Sequence, residues 1–95
     1  AVAERAAPYD ALLAPTVAVA PPAIAPLEAD VDAFLAANAA VLRNTTIGNL
    51  LGAPAATVPI GTDADGLPVG LMLTTAFGED ALALALAGWV ERVRV

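Results

Sequence analysis

Cysteine, histidine, serine and lysine are all absent from the 95 residues, and each absence removes a class of chemistry. Without cysteine there is no disulfide framework and no thiolate nucleophile. Without cysteine or histidine, zinc and haem lack their usual ligands, and no cofactor or metal is expected. A Ser-His-Asp or Cys-His site cannot be assembled. A phosphate-binding P-loop lacks its lysine, and an N-terminal threonine nucleophile is excluded because residue 1 is alanine. Basic residues are also scarce. Arg5, Arg43, Arg92 and Arg94 stand against ten acidic residues, for a net charge of −6. Nucleic-acid binding needs clustered cations, so no nucleic-acid partner is expected.

What is abundant is apolar surface. Hydrophobic residues make up 59% of the chain and charged ones only 15%, too apolar for one small domain that must cover itself with polar groups. Either the chain enters a membrane, or it belongs to a larger body that covers both faces of its elements. The two longest charge-free runs decide between these. Residues 44–62 are interrupted by Gly48, Gly52, Pro54 and Pro59, and residues 11–27 by Pro15, Pro21, Pro22 and Pro26. Backbone broken in this way cannot satisfy its hydrogen bonds in lipid, so no membrane span is expected. The start, AVAERAAPYD, has no basic leader followed by an apolar run. The chain is expected to begin inside a larger protein, with residues 1–7 as the tail of a helix, and a cytoplasmic address suits its cysteine-free composition.

In chain order, YDALLAPT (residues 9–16) reads as a short buried strand. Residues 17–27, with three prolines in six positions, read as an ordered extended crossing and not as a helix. Residues 28–40 turn helical, with Glu28, Asp30 and Asp32 at the positive end of the dipole; Val31, Phe34 and Leu35, with Asn38 or Ala39, form an apolar stripe. Residues 41–51 read as a second helical piece whose entry Asn44, Thr45 or Thr46 caps or kinks. Gly48 there suggests close approach of a neighbour. Gly52 and Pro54 stop the helix. AATVPI (55–60) and VGLMLTT (69–75) are two strands of an antiparallel hairpin joined through Asp65-Gly66. Consecutive Leu71, Met72 and Leu73 imply cover on both faces of the second strand. Residues 79–93 form a closing helix with acids first and arginines last, striped by Leu82, Leu86, Trp89 and Val93 and packed on more than one side. The fold class is α/β, with about three strands and three to four helices in a single segment that is not a complete domain.

Few polar groups remain for chemistry. Asp63-Ala64-Asp65-Gly66 shares a start with calcium loops, but Leu67 occupies the position of the third ligand and no bidentate glutamate follows, so a plain turn is favoured. The acids at 28, 30 and 32 are a capped, solvated helix start. Arg43, Asn44, Thr45, Thr46 and Asn49 form a polar set in apolar surroundings. They could bind a carboxylate or carbonyl, or equally tie down local backbone.

RNTTIGNLLGAPAATVPIG, DGLPVGLMLTT and EDALALALAGWVE, with YDALLAPTVAVAPPAI upstream, resemble the C-terminal part of the amidase signature family. The resemblance runs from about Tyr9 to Glu91. It implies a large mixed β-sheet with helices on both faces, and hydrolysis of carboxamide bonds by a serine nucleophile, a second serine and a lysine base. All three lie upstream in that family, and none can be placed on a chain without serine or lysine. The segment matching Arg43 to Asn49 is implied to help wall the substrate pocket, with Thr45 and Asn49 at positions many relatives share. Ile60 occupies a position that is often cysteine in relatives. The implied partners are the N-terminal remainder of the same protein, or further copies of the chain through its apolar faces, and a small-molecule amide for the whole enzyme.

Overall fold

The computed structural model describes residues 2–93. Seven elements follow one another: α1 (Val2–Ala6), β1 (Leu12–Pro15), α2 (Ile24–Ala29), α3 (Val31–Leu51), β2 (Ala55–Thr62), β3 (Pro68–Thr74) and α4 (Asp80–Val93). The strands make one antiparallel sheet in the order β1-β3-β2. This is the α/β arrangement expected, and the hairpin is β2–β3. The three strands all pair antiparallel. Residue 1 and Arg94 of the expected terminal helices lie outside the described residues.

Strand alternation sorts the sheet residues into two faces. Val58 and Leu73 lie on one, and α4 packs against β2 and β3 with its own Ala83 buried. Leu12, Ala14, Met72 and Thr74 point to the other, beneath α3. Met72 and Leu73 are neighbours in β3 and both are buried, 7% and 2% exposed. The two-sided cover expected for the central strand is therefore present.

Polar groups explain several element ends. The side chain of Asp30 accepts from Asp32 N at 3.0 Å and starts α3. Gly52 ends it in the left-handed conformation at φ 63°, its N–H bonded to Asn49 O at 3.2 Å. Asp63 organises the hairpin turn: its Oδ1 accepts from Asp65 N and Leu67 N, both at 2.9 Å. Buried Thr75 donates through Oγ1 to Glu79 O, and its N–H bonds Pro54 O, tying the end of β3 to the entry of β2 and the start of α4.

Several expectations are corrected. Residues 17–27 are not extended throughout, because α2 begins at Ile24 with Pro26 in its first turn. The missing N–H costs nothing there, since the first four N–H groups of a helix have no internal acceptor. Helical pieces 28–40 and 41–51 are one 21-residue helix. Thr45 does not kink it; its hydroxyl bonds back to Leu42 O at 3.2 Å. Glu28 belongs to α2 instead. The stripe of Val31, Phe34 and Leu35 is exposed, and the half-buried residues Ala33, Ala37, Ala40, Val41, Asn44 and Gly48 form the inner face. Small residues face inwards because α3 packs chiefly on α2. Gly48 serves no close approach, because a side chain added there would meet nothing within 4 Å.

A further correction concerns cover. Leu12 and Leu13 of β1 are 42% and 62% exposed, and Trp89, Val93 and Leu84 of α4 point to solvent. Only one face of α4 is packed, that of Leu82, Ala83 and Leu86. The chain exposes 6741 Å², where a compact protein of 9.4 kDa exposes about 5,000 Å². Its radius of gyration is 15.3 Å, against about 12.4 Å for a compact 95-residue domain. A three-stranded sheet with one helix layer on each face leaves edges and outer helix faces open, so apolar residues placed for cover lack it.

Candidate functional site

The five residues of the polar set all lie in the second half of α3, but they do not converge. At 100° per residue, neighbours in sequence point in different directions, and only residues three or four apart share a face. Thr45, Thr46 and Asn49 therefore form one group with Leu42. Thr46 and Asn49 are exposed and Thr45 is half-buried. Arg43 is exposed at the edge of this group, three residues before Thr46 but two from Thr45 and six from Asn49.

Asn44 points the other way, towards the sheet. Its Nδ2 donates to Pro15 O at the end of β1, 2.7 Å away across 29 residues of sequence. It lines a groove of about 330 Å³ between α3 and the sheet, walled by Leu12, Ala14, Ile47, Leu51 and Met72. A second cleft, of about 390 Å³, lies where α1, the end of α3, and the β3–α4 connection meet, with Tyr9, Leu12, Leu51, Thr75, Phe77 and Leu82 in its wall. Arg43, Thr45, Thr46 and Asn49 line neither.

One constellation was not anticipated from sequence. Thr16, just past the end of β1, and Thr57 of β2 reach over the central strand, and Thr16 Oγ1 donates to Thr57 Oγ1 at 3.2 Å. Gly70 lies beneath them. A Cβ there would stand 2.8 Å from Thr57 Cγ2 and 2.9 Å from Thr16 Oγ1. The available signal was a lone glycine inside the apolar strand PVGLMLT, which marks close approach.

Among the described residues no three His, Cys, Asp or Glu side chains gather to hold a metal ion. The Asp63 carboxylate is engaged by its own turn. No helix among the described residues is long and apolar enough to cross a membrane. The geometry of the described residues therefore offers hydrogen-bonding side chains and apolar walls.

The family model described as Amidase matches residues 2–84, and the chain belongs to that family. It is 40% identical over 82 residues to 2-amino-5-chloromuconic acid deaminase of Comamonas testosteroni, covering 86% of this chain and 18% of that protein. It is equally 40% identical over 87 residues to a Mycobacterium tuberculosis protein named as an amidase, AmiC, covering 90% of this chain and 18% of that one. With 6-aminohexanoate-cyclic-dimer hydrolase of Paenarthrobacter ureafaciens the identity is 33% over 91 residues, 87% of this chain and 18% of the relative. The chain thus spans about 18% of the length of these curated relatives. No solved structure matches it.

Proposed function

We propose that this chain is the C-terminal segment of an amidase-signature hydrolase that cleaves a carboxamide C–N bond in a small molecule, in the cytoplasm. The segment supplies structure and part of the substrate-pocket wall, and the serine nucleophile, second serine and lysine base stand elsewhere in the whole protein. The observation that carries this is a family match along residues 2–84 in a chain with neither serine nor lysine. The uncovered faces of α3, α4 and β1 are what the neighbouring layers of a larger mixed sheet would bury. Of the pocket-wall residues, Thr45, Thr46 and Asn49 share a face on which side-chain amide and hydroxyl groups can meet a substrate carbonyl. Arg43 flanks it.

The test is to compare the 95-residue chain with the full reading frame that contains it, using a serine-directed fluorophosphonate probe and a panel of small amides. The full protein should be labelled and hydrolyse at least one amide, and the short chain should do neither. Turnover by the pure short chain, or a reading frame without a Gly/Ser-rich segment and its lysine, would refute the assignment. A second reading rests on the same exposed side chains: a non-catalytic amidase-like module that binds a protein or its own copies. An inactive full reading frame that self-associates would favour it.

A further inference from the structure

The helix carrying the proposed pocket wall is held to the sheet in an unusual way. Its inner face is made of alanines, Val41, Asn44 and Gly48. The groove of about 330 Å³ beneath it shows that side chains do not interlock there, and Gly48 has no atom within 4 Å of where its Cβ would be. Interlocking side chains are what normally fix the rotation of a helix on a sheet. The main packing of α3 is on α2; against the sheet, where side chains interlock little, its rotation is left to a side-chain hydrogen bond. Asn44 is the residue in α3 whose side chain reaches the sheet by a hydrogen bond, at 2.7 Å to the Pro15 carbonyl. That acceptor is itself held in place: Pro15 pairs with Leu71 in the sheet, and the next residue, Thr16, bonds through N–H to Gly70 O and through Oγ1 to Thr57.

We propose that Asn44 is a positioning residue: its amide, pinned to the Pro15 carbonyl, sets the rotation of α3 and so the direction in which Thr46 and Asn49 face. The consequence for substrate rests on the pocket-wall reading above; the pin itself does not. Asn44 and the Leu42, Thr46, Asn49 group lie on opposite sides of one helix. A rotation that released the first would swing the second out of register with any wall it joins. The sequence offered the polar set either as substrate-facing or as a tie to backbone, and the bond of Asn44 to Pro15 O fits the second for this residue.

The experiment is solution NMR on the labelled chain in a Leu84→Lys/Trp89→Lys background, which removes apolar side chains on α4, on the far side of the sheet. Asn44→Leu should abolish the cross-peaks from Ile47 and Leu51 to Leu12 and Met72, and leave the β2–β3 hairpin pattern intact. Asn44→Asp supplies a pH signature. The protonated carboxyl can donate to Pro15 O and the ionised one cannot, so docking favours the neutral form and raises its pKa in the docked state. Docking should then be present at low pH and be lost as pH rises through that value, above the ordinary Asp value of about 4. Aliphatic side chains, Asn44 and Thr74 line the groove, and the nearest charged group on the same helix is exposed Arg43. The parent background, with every native acid in place, is the control and should stay docked throughout.

Retained cross-peaks in Asn44→Leu, or a flat pH profile in Asn44→Asp, overturn the proposal. Loss of the hairpin pattern as well overturns it too, since Asn44 would then serve the whole fold. The readout is docking, so it stands or falls separately from whether the full protein hydrolyses amides.

Discussion

Replacing Leu84 and Trp89 by lysine should convert an associating chain into a monomeric one. Both side chains of α4 are exposed, 71% and 56%, and neither belongs to the packed side around Ala83. The chain exposes about 1,700 Å² more than a compact protein of its mass. A standard interface takes about 800 Å² from each partner, so the uncovered surface is enough for two. Covering the exposed part of each side chain is worth about 1–2 kcal/mol. Losing both should weaken association by about 30- to 700-fold, at 1.4 kcal/mol per tenfold. The assay is sedimentation velocity over a concentration series, with binding of a hydrophobic dye in parallel. The unsubstituted chain should sediment above its monomer mass of 9.4 kDa and bind dye. The double variant should shift towards the monomer with its far-ultraviolet circular dichroism unchanged. A native chain that is monomeric at all concentrations and binds no dye would refute the reasoning, because it would mean these faces need no cover.

Three further outcomes follow from local geometry. Gly70→Ala should cost about 1–3 kcal/mol, because the new Cβ drives against Thr57 Cγ2 and Thr16 Oγ1 on a strand held from both sides; urea unfolding measures it, and adding Thr57→Ala should recover part of the loss. Asp63→Ala removes the acceptor of two turn hydrogen bonds, costing about 1–2 kcal/mol. The Leu67 amide should then exchange faster with solvent while that of Met72 is unaffected. Gly52→Ala forces a Cβ into a left-handed position at φ 63°, a loss of about 1–2 kcal/mol, visible as fraying of the end of α3 by hydrogen exchange.

Local chemistry determined much of this protein independently of tertiary contacts. Gly52 and Pro54 stop a helix wherever they occur after an apolar run, and the β2–β3 hairpin follows from two strand-like runs around a turn-forming stretch. The absence of serine, cysteine, histidine and lysine excludes a Ser-His-Asp, Cys-His or P-loop site from these 95 residues whatever their conformation. The motif run from RNTT to GLMLTT, read as a family resemblance, agrees with the match along residues 2–84. In each case the information lies in composition or in the order of residues along the chain, not in contacts between distant ones.

Tertiary structure decided the rest, because facing depends on what each element packs against. Pro26 reads as a helix breaker until α2 puts it in a first turn, where its lack of an N–H leaves no helical acceptor unpaired. The stripe of Val31, Phe34 and Leu35 has the spacing of a buried face, yet packing on α2 turns Ala33 and Ala37 inwards instead. Thr16, Thr57 and Gly70 are separated by as many as 54 residues, and only sheet register brings them together. Asn44 and Thr45 are adjacent and equally polar, so composition could not separate them. One turns to the Pro15 carbonyl and the other bonds back to its own helix, because a helix sends neighbours about 100° apart and only the sheet beneath defines which direction is in.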